Sequence, residues 1–212
     1  MPRVLLSSPD QKALLRLEPD PDDQWWTLRH VAEPDRPAWY ASFGARTPVE
    51  LIAAFIDALT DPTAPAGTPT DPFEPLIGWS LTSPRNGLAS PDGTIHLHRL
   101  GSTEEPGAWF ITTTLGSTPV WQVRFATHTP ARLVAAFTAA LVDPKPVHRT
   151  DSGRSLPTLD PNVITCRPTN VLAVHVAGAL EDRVHSLAAR RAIPPTSPVA
   201  SQQPPAKHNR RR

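Results

Sequence analysis

Apolar and polar positions alternate along the chain, then switch abruptly to a helical period, and the switch happens twice. In the second instance residues 94–100 alternate, with Ile95 and Leu97 on one face and His96 and His98 on the other. Residues 108–115 and 120–125 do the same: Trp109, Ile111 and Leu115 share a face, as do Trp121, Val123 and Phe125. Residues 77–83 read as a further strand, ended by the turn residues Pro84-Arg85-Asn86-Gly87. Ser90-Pro91-Asp92-Gly93 is a second turn, with Gly93 free to take positive φ. The period then lengthens. Leu133, Phe137 and Leu141 recur every four residues with Val134 beside them, one apolar stripe of a helix. Thr129 is placed as its N-cap and Pro130 at its first turn, where the missing N–H costs nothing. Asp143-Pro144 ends it.

The first instance is a copy of this pattern. Ser8-Pro9-Asp10, Trp39, Phe43, Thr47-Pro48 and Leu51-Ile52-Ala53-Ala54-Phe55 return as Ser90-Pro91-Asp92, Trp121, Phe125, Thr129-Pro130 and Leu133-Val134-Ala135-Ala136-Phe137, always 82 residues on. Self-similarity at a fixed spacing means two copies of one folding unit. Here Glu50, three residues after Thr47, adds the first-turn carboxylate of a capping box, and Leu51, Phe55 and Leu59 form the stripe. The expected fold is α+β: two tandem ββββα units, antiparallel sheets each packed on one helix, arranged as a pseudo-two-fold pair. Unit 1 spans 1–62, a Pro/Thr-rich linker 63–74, unit 2 spans 75–146, and a tail covers 147–212. A helix is expected at about 170–191, from the stripe Leu172, Val176, Leu180, Val184 and Leu187; a basic, disordered end follows. The counterpart of Trp79 falls ahead of Met1, so unit 1 is expected to lack its first strand or to receive it from elsewhere.

Charge changes the picture only at the end of the chain. Net charge is +1 overall. Residues 1–66 carry six basic and ten acidic residues, 67–150 carry six of each, and 151–212 carry nine against four. The repeats are therefore no basic nucleic-acid module of the obvious kind, whereas the tail is basic. A lone Cys166 allows no internal disulfide and fits a reducing, cytoplasmic setting. No apolar run approaches the roughly 20 residues of a membrane span. The 27 prolines concentrate in linkers and in the C-terminal segment.

Phosphate-loop, dinucleotide, nucleophile-elbow and paired-cysteine metal motifs do not occur. His96 and His98 project from one strand face and could chelate a metal with His128 or a carboxylate as third ligand. The first copy has Leu14 and Arg16 there, so the pair reads as a solvated strand face and no metal or other cofactor is expected. Ser8-Asp10 and Ser90-Asp92 lack a repeated histidine to serve as base, so they read as turn-closing groups and no enzyme is expected. The outer sheet faces remain. Arg16, Thr27, Arg29, Tyr40 and Ser42 should point outward in unit 1, and His96, His98, Phe110, Thr112, Thr114, Gln122 and Arg124 in unit 2. Aromatic and cationic side chains on an open sheet can stack bases and hold phosphates.

The run Ser90-Pro91-Asp92-Gly93, a tryptophan strand, Trp121-x-x-x-Phe125, Thr129-Pro130 and Leu133-Val-Ala-Ala-Phe-Thr138 resembles the streptomycete domain of unknown function that occurs in tandem pairs. Leu76-Ile-Gly-Trp79 is similar to that family's opening strand, and the resemblance covers about residues 1–149. It implies an actinobacterial cytoplasmic protein with no assigned activity and no catalytic residues to carry over. In topology alone, tandem units of four strands and a helix also look like the Pur and Whirly single-stranded nucleic-acid binders.

The expectation is thus a non-enzymatic binding protein. Its partner is nucleic acid, contacted by Arg16, Arg29, Tyr40, Phe110 and Arg124, with Arg210, Arg211 and Arg212 of the tail adding affinity. The alternative is a protein-interaction or scaffolding module, as a homodimer or with another partner. Neither reading involves a membrane or a small-molecule ligand.

Overall fold

The computed structural model describes residues 4–18, 24–60, 71–82, 87–101, 107–147 and 164–175, with positions 178, 181, 182 and 185 beyond. The chain divides into two compact units, Met1–Pro157 and Thr158–Arg212. In the second, residues 173–175 and positions 178, 181, 182 and 185 are helical; the rest of the expected 170–191 helix and the terminal arginines lie outside the described residues.

In the first unit, nine strands pair as antiparallel neighbours, those expected at 94–100, 108–115 and 120–125 among them. They are β1 (Val4–Ser7), β2 (Ala13–Leu17), β3 (Gln24–His30), β4 (Trp39–Gly44), β5 (Ser80–Leu81), β6 (Gly87–Ala89), β7 (Ile95–Leu100), β8 (Ala108–Leu115) and β9 (Thr118–Phe125). The helices are α1 (Val49–Thr60) and α2 (Ala131–Val142), whose bounds differ by the repeat spacing. The two expected sheets are joined: a single nine-stranded sheet runs β1-β2-β3-β4-β9-β8-β7-β6-β5. The junction is β4 against β9, with Ala41 opposite Phe125, Ser42 opposite Arg124 and Phe43 opposite Val123. Ser42 and Arg124 are equivalent positions of the two copies. That pair therefore sits on the pseudo-two-fold axis, and the copies meet strand to strand.

Both helices cover one face of this sheet. Leu51, Ile52 and Phe55 of α1 and Leu133, Val134 and Phe137 of α2 join Leu28, Trp39, Phe43, Leu97, Ile111, Trp121, Val123 and Phe125 in one core. Its centre is an aromatic cluster astride the axis. Phe43 meets Phe55 edge-on at 5.6 Å, and the equivalent Phe125 meets Phe137 edge-on at 5.4 Å. Phe55 also stacks on Phe125 of the other copy at 5.2 Å, and Phe137 on Phe43 at 6.1 Å. Neither copy completes its own core; each fills the other's.

Three local expectations are corrected. The strand expected at 77–83 shrinks to Ser80–Leu81, because Gly78 takes φ +83° in a turn and Ile77 is 90% exposed. A strand not foreseen, β6, occupies the stretch after the expected turn. The N-cap of α2 is Pro130, with ψ 128°, and makes no side-chain cap bond. The Thr129 hydroxyl is spent elsewhere: it donates to the Tyr40 carbonyl at 3.2 Å, tying the second copy to the first. The expected capping box at Thr47 does not form either, since its hydroxyl is buried without a partner. Asp143 ends α2 in extended conformation before Pro144, as expected.

Candidate functional site

With both helices on one face, the other face of the sheet is open, the usual arrangement for an antiparallel sheet with one solvated side. Strand parity and register decide what it presents. One row across the strands reads Leu5, Arg16, Thr27, Ser42, Arg124, Phe110, His98 and Gly87, each paired with the next. Beside it, Leu14, Arg29 and Tyr40 form a paired row in unit 1, and Gln122, Thr112 and His96 one in unit 2. Arg16, Arg29, Tyr40, Phe110 and Arg124, all expected on the outer face, lie on it together. Arg210, Arg211 and Arg212 lie outside the described residues.

No Asp or Glu occupies an open-face strand position among the described residues. Glu18, just past β2, donates its backbone N–H to Trp25 O and forms an ion pair with Arg16. Arg16 thus has a carboxylate partner beside it, in an exposed pair. Arg29 and Arg124 are exposed and form no ion pair among the described residues. The Arg124 guanidinium lies over the Phe110 ring, 5.4 Å from its centroid. This cation–π contact fixes the guanidinium plane while leaving its N–H edge available to an anion. Tyr40 is 49% exposed and borders a shallow depression of ≈ 390 Å³ with Thr27, Arg29 and Ser42. Trp25 shares the parity of Thr27 and Arg29 and is exposed, so it belongs to this face although it was not among the expected residues. The pairing with β4 is irregular there, between Gln24 and Trp26, but the register against β2 is continuous; in the sequence two adjacent tryptophans show no apolar–polar contrast at this point.

His96 and His98 also lie on the open face, with near-parallel rings 6.2 Å apart. Among the described residues no group of three His, Cys, Asp or Glu side chains is arranged to hold a metal ion. The Ser-Asp pairs close turns. Ser8 Oγ donates to Asp10 at 2.6 Å and accepts from Ala13 N at 2.9 Å; Ser90 does the same with Asp92 at 2.5 Å and Ile95 N at 2.9 Å. These hydroxyl hydrogen bonds, together with backbone N–H donors, hold both carboxyls below the ordinary aspartate value.

The internal duplication separates scaffold from surface. Facing the helices, Trp39 matches Trp121, Phe43 matches Phe125 and Leu15 matches Leu97. In β3 and β8 the pairing register aligns Trp26 with Trp109, since each is paired to its copy's phenylalanine. On the open face no pair is retained: Arg16 matches His98, Leu14 matches His96, Tyr40 matches Gln122 and Ser42 matches Arg124. By the same register, Thr27 matches Phe110 and Arg29 matches Thr112. What the two copies share is the core and the turns.

The comparison with known families finds the same duplication. The family model of SPDY, a domain of unknown function (DUF317), matches residues 7–65 and again 89–147. The chain belongs to the SPDY family. Both SPDY matches begin at the Ser-Pro-Asp turn and end past the helix. The short β5 lies outside the second match, in the segment between the two. No curated protein and no solved structure matches the chain. The topological likeness to Pur and Whirly proteins therefore gains no support from those comparisons. Among the described residues no helix is long and apolar enough to cross a membrane.

Proposed function

We propose that this chain is a non-enzymatic, cytoplasmic binding protein that takes nucleic acid on the open face of its sheet. One observation carries the reading. Arg124, stacked on Phe110 at the junction of the copies, lies with Arg29, Tyr40 and Trp25 on a face whose strands carry no Asp or Glu among the described residues. The arginines offer guanidinium edges to phosphates, and the aromatic rings offer platforms to unstacked bases. Because the two copies differ at each matched open-face position, the ligand crosses an asymmetric surface, in one orientation. The basic tail adds sequence-independent affinity through counterion release.

The test is binding of a fluorescent single-stranded oligonucleotide to the full chain. Phe110→Ala should weaken it about tenfold, roughly 1.4 kcal/mol, and Arg124→Ala by a similar factor. Lys145→Ala, just beyond α2 and ion-paired with Asp143, should leave it unchanged. Equal affinity in all three variants would refute a site on the sheet face.

A second reading, a protein-interaction module, is favoured by a different part of the sheet, its outer edge at β1, which no strand pairs among the described residues.

A further inference from the structure

The two outer edges of the sheet differ in a way the duplication makes legible. β6 is the counterpart of β1, and β6 is covered: Ser80 pairs with Ala89, Leu81 pairs with Leu88, and Thr82 N donates to Gly87 O at 3.0 Å. The counterparts of Ala89, Leu88 and Gly87 in the first copy are Ser7, Leu6 and Leu5. Among the described residues no strand pairs with that side of β1, which ends the sheet. All four residues of β1 are exposed, Leu5 at 54% and Leu6 at 57%, and none is charged. Sheet edges are normally blunted by charge, proline or shortness. The opposite edge, β5, is only two residues long. β1 is twice as long, and none of its four residues is charged or proline.

The covered edge also shows what fits the bare one. Ser8 N points inward to Ala13 O, so by alternation the N–H and C=O groups of Leu5 and Ser7 point outward. In the second copy those positions are satisfied by an uncharged antiparallel segment. That segment brings apolar side chains with it: Trp79 packs against the core and Leu76 is buried. We propose that the outer edge of β1 is a strand-docking site for an extended, uncharged segment of a protein partner. The segment runs antiparallel to β1, places an apolar residue opposite Leu6 as Leu81 is placed opposite Leu88, and carries an aromatic residue two positions earlier, as Trp79 stands to Leu81. Main-chain hydrogen bonds provide the affinity and the two side chains the selectivity. This site is separate from the open face and stands or falls independently of nucleic-acid binding.

The probe is a labelled peptide with the sequence of residues 75–82, Pro-Leu-Ile-Gly-Trp-Ser-Leu-Thr, titrated into the full-length chain by fluorescence anisotropy. Saturable binding is expected, weakened tenfold or more by Ser7→Pro, which removes an outward N–H without touching the bonds to β2. Leu6→Asp changes only an exposed side chain and should weaken binding similarly, so the result does not rest on a proline variant that fails to fold. Tyr40→Ala, on the open face, should bind as the parent does. Absence of saturable binding, equal binding of a scrambled peptide, or indifference to both edge variants would overturn the proposal. So would a concentration-dependent dimer of the chain in sedimentation that Leu6→Asp dissolves, because it would assign the edge to a second copy.

Discussion

Asp10 and Asp92 hold equivalent turns, and their titration is where pH should act on stability. Each carboxyl lies below its ordinary value of 3.8, chiefly because a serine hydroxyl donates to it. A depressed folded-state value means the stabilisation is complete above the unfolded value and is lost as pH falls through the folded one. Denaturant melts between pH 5 and 2 should therefore show stability dropping below about pH 4, with a shallower drop in Asp10→Asn/Asp92→Asn; an unchanged slope would remove these turns from the acid limb. The first turn has a defect its copy lacks. Gln11 takes φ 58° where Gly93 takes φ 70°, and a left-handed conformation costs a non-glycine residue energy. Gln11→Gly should thus stabilise by roughly 0.5–1 kcal/mol, and a destabilised variant would show that the side chain has another role. The paired threonines supply a matched comparison. Thr129→Val should cost about 1 kcal/mol through loss of the bond to Tyr40. Thr47→Val, which removes a buried hydroxyl without a partner, should be neutral or stabilising. Equal losses would mean that the junction does not depend on that bond.

At the scale of elements, alternation and the four-residue stripe made β7, β8, β9 and both helices legible, because each buries one face and exposes the other. The aromatic outer-face residues Tyr40 and Phe110 followed from the same parity. Trp25 did not, because Trp25 and Trp26 are both large and apolar, so no apolar–polar contrast marks which of them points outward. The cap at Thr129 was misplaced because a threonine before a proline has the same sequence signature whether its hydroxyl serves the helix or a neighbouring strand. The covering of β6 by β5 rests on a two-residue strand, too short to carry a period. That the sheets join depends on β4 meeting β9, a contact between residues 80 to 84 apart for which no local pattern exists. The packing consequence can be measured. Phe137→Ala should cost about 3–5 kcal/mol, since Phe137 is fully buried. Phe55 and Phe125 stack across the copies, so a double-mutant cycle with alanine should give a coupling of at least about 0.5 kcal/mol. Additive losses would mean that the copies do not share a core.

For the whole molecule, the sheet positions identical in both copies, such as Trp39 and Trp121 or Phe43 and Phe125, face the helices, and the matched open-face positions all differ. The shared residues build the core and the turns, and the surface that differs between copies holds the arginines and aromatics. A ligand held there by Arg29 and Arg124 has two phosphate contacts from the sheet, beyond whatever the tail contributes. The most direct measurement is the salt dependence of single-stranded DNA binding by the parent chain and by Arg124→Ala, from about 50 to 200 mM. Two contacts predict a slope of log K against log salt of at least about −1.4 for the parent, reduced by about 0.7 in the variant. Duplex DNA should bind more weakly, because its bases cannot reach Tyr40 and Phe110. Absence of binding at the lowest salt, or a slope that Arg124→Ala leaves unchanged, would contradict a nucleic-acid site on the open face.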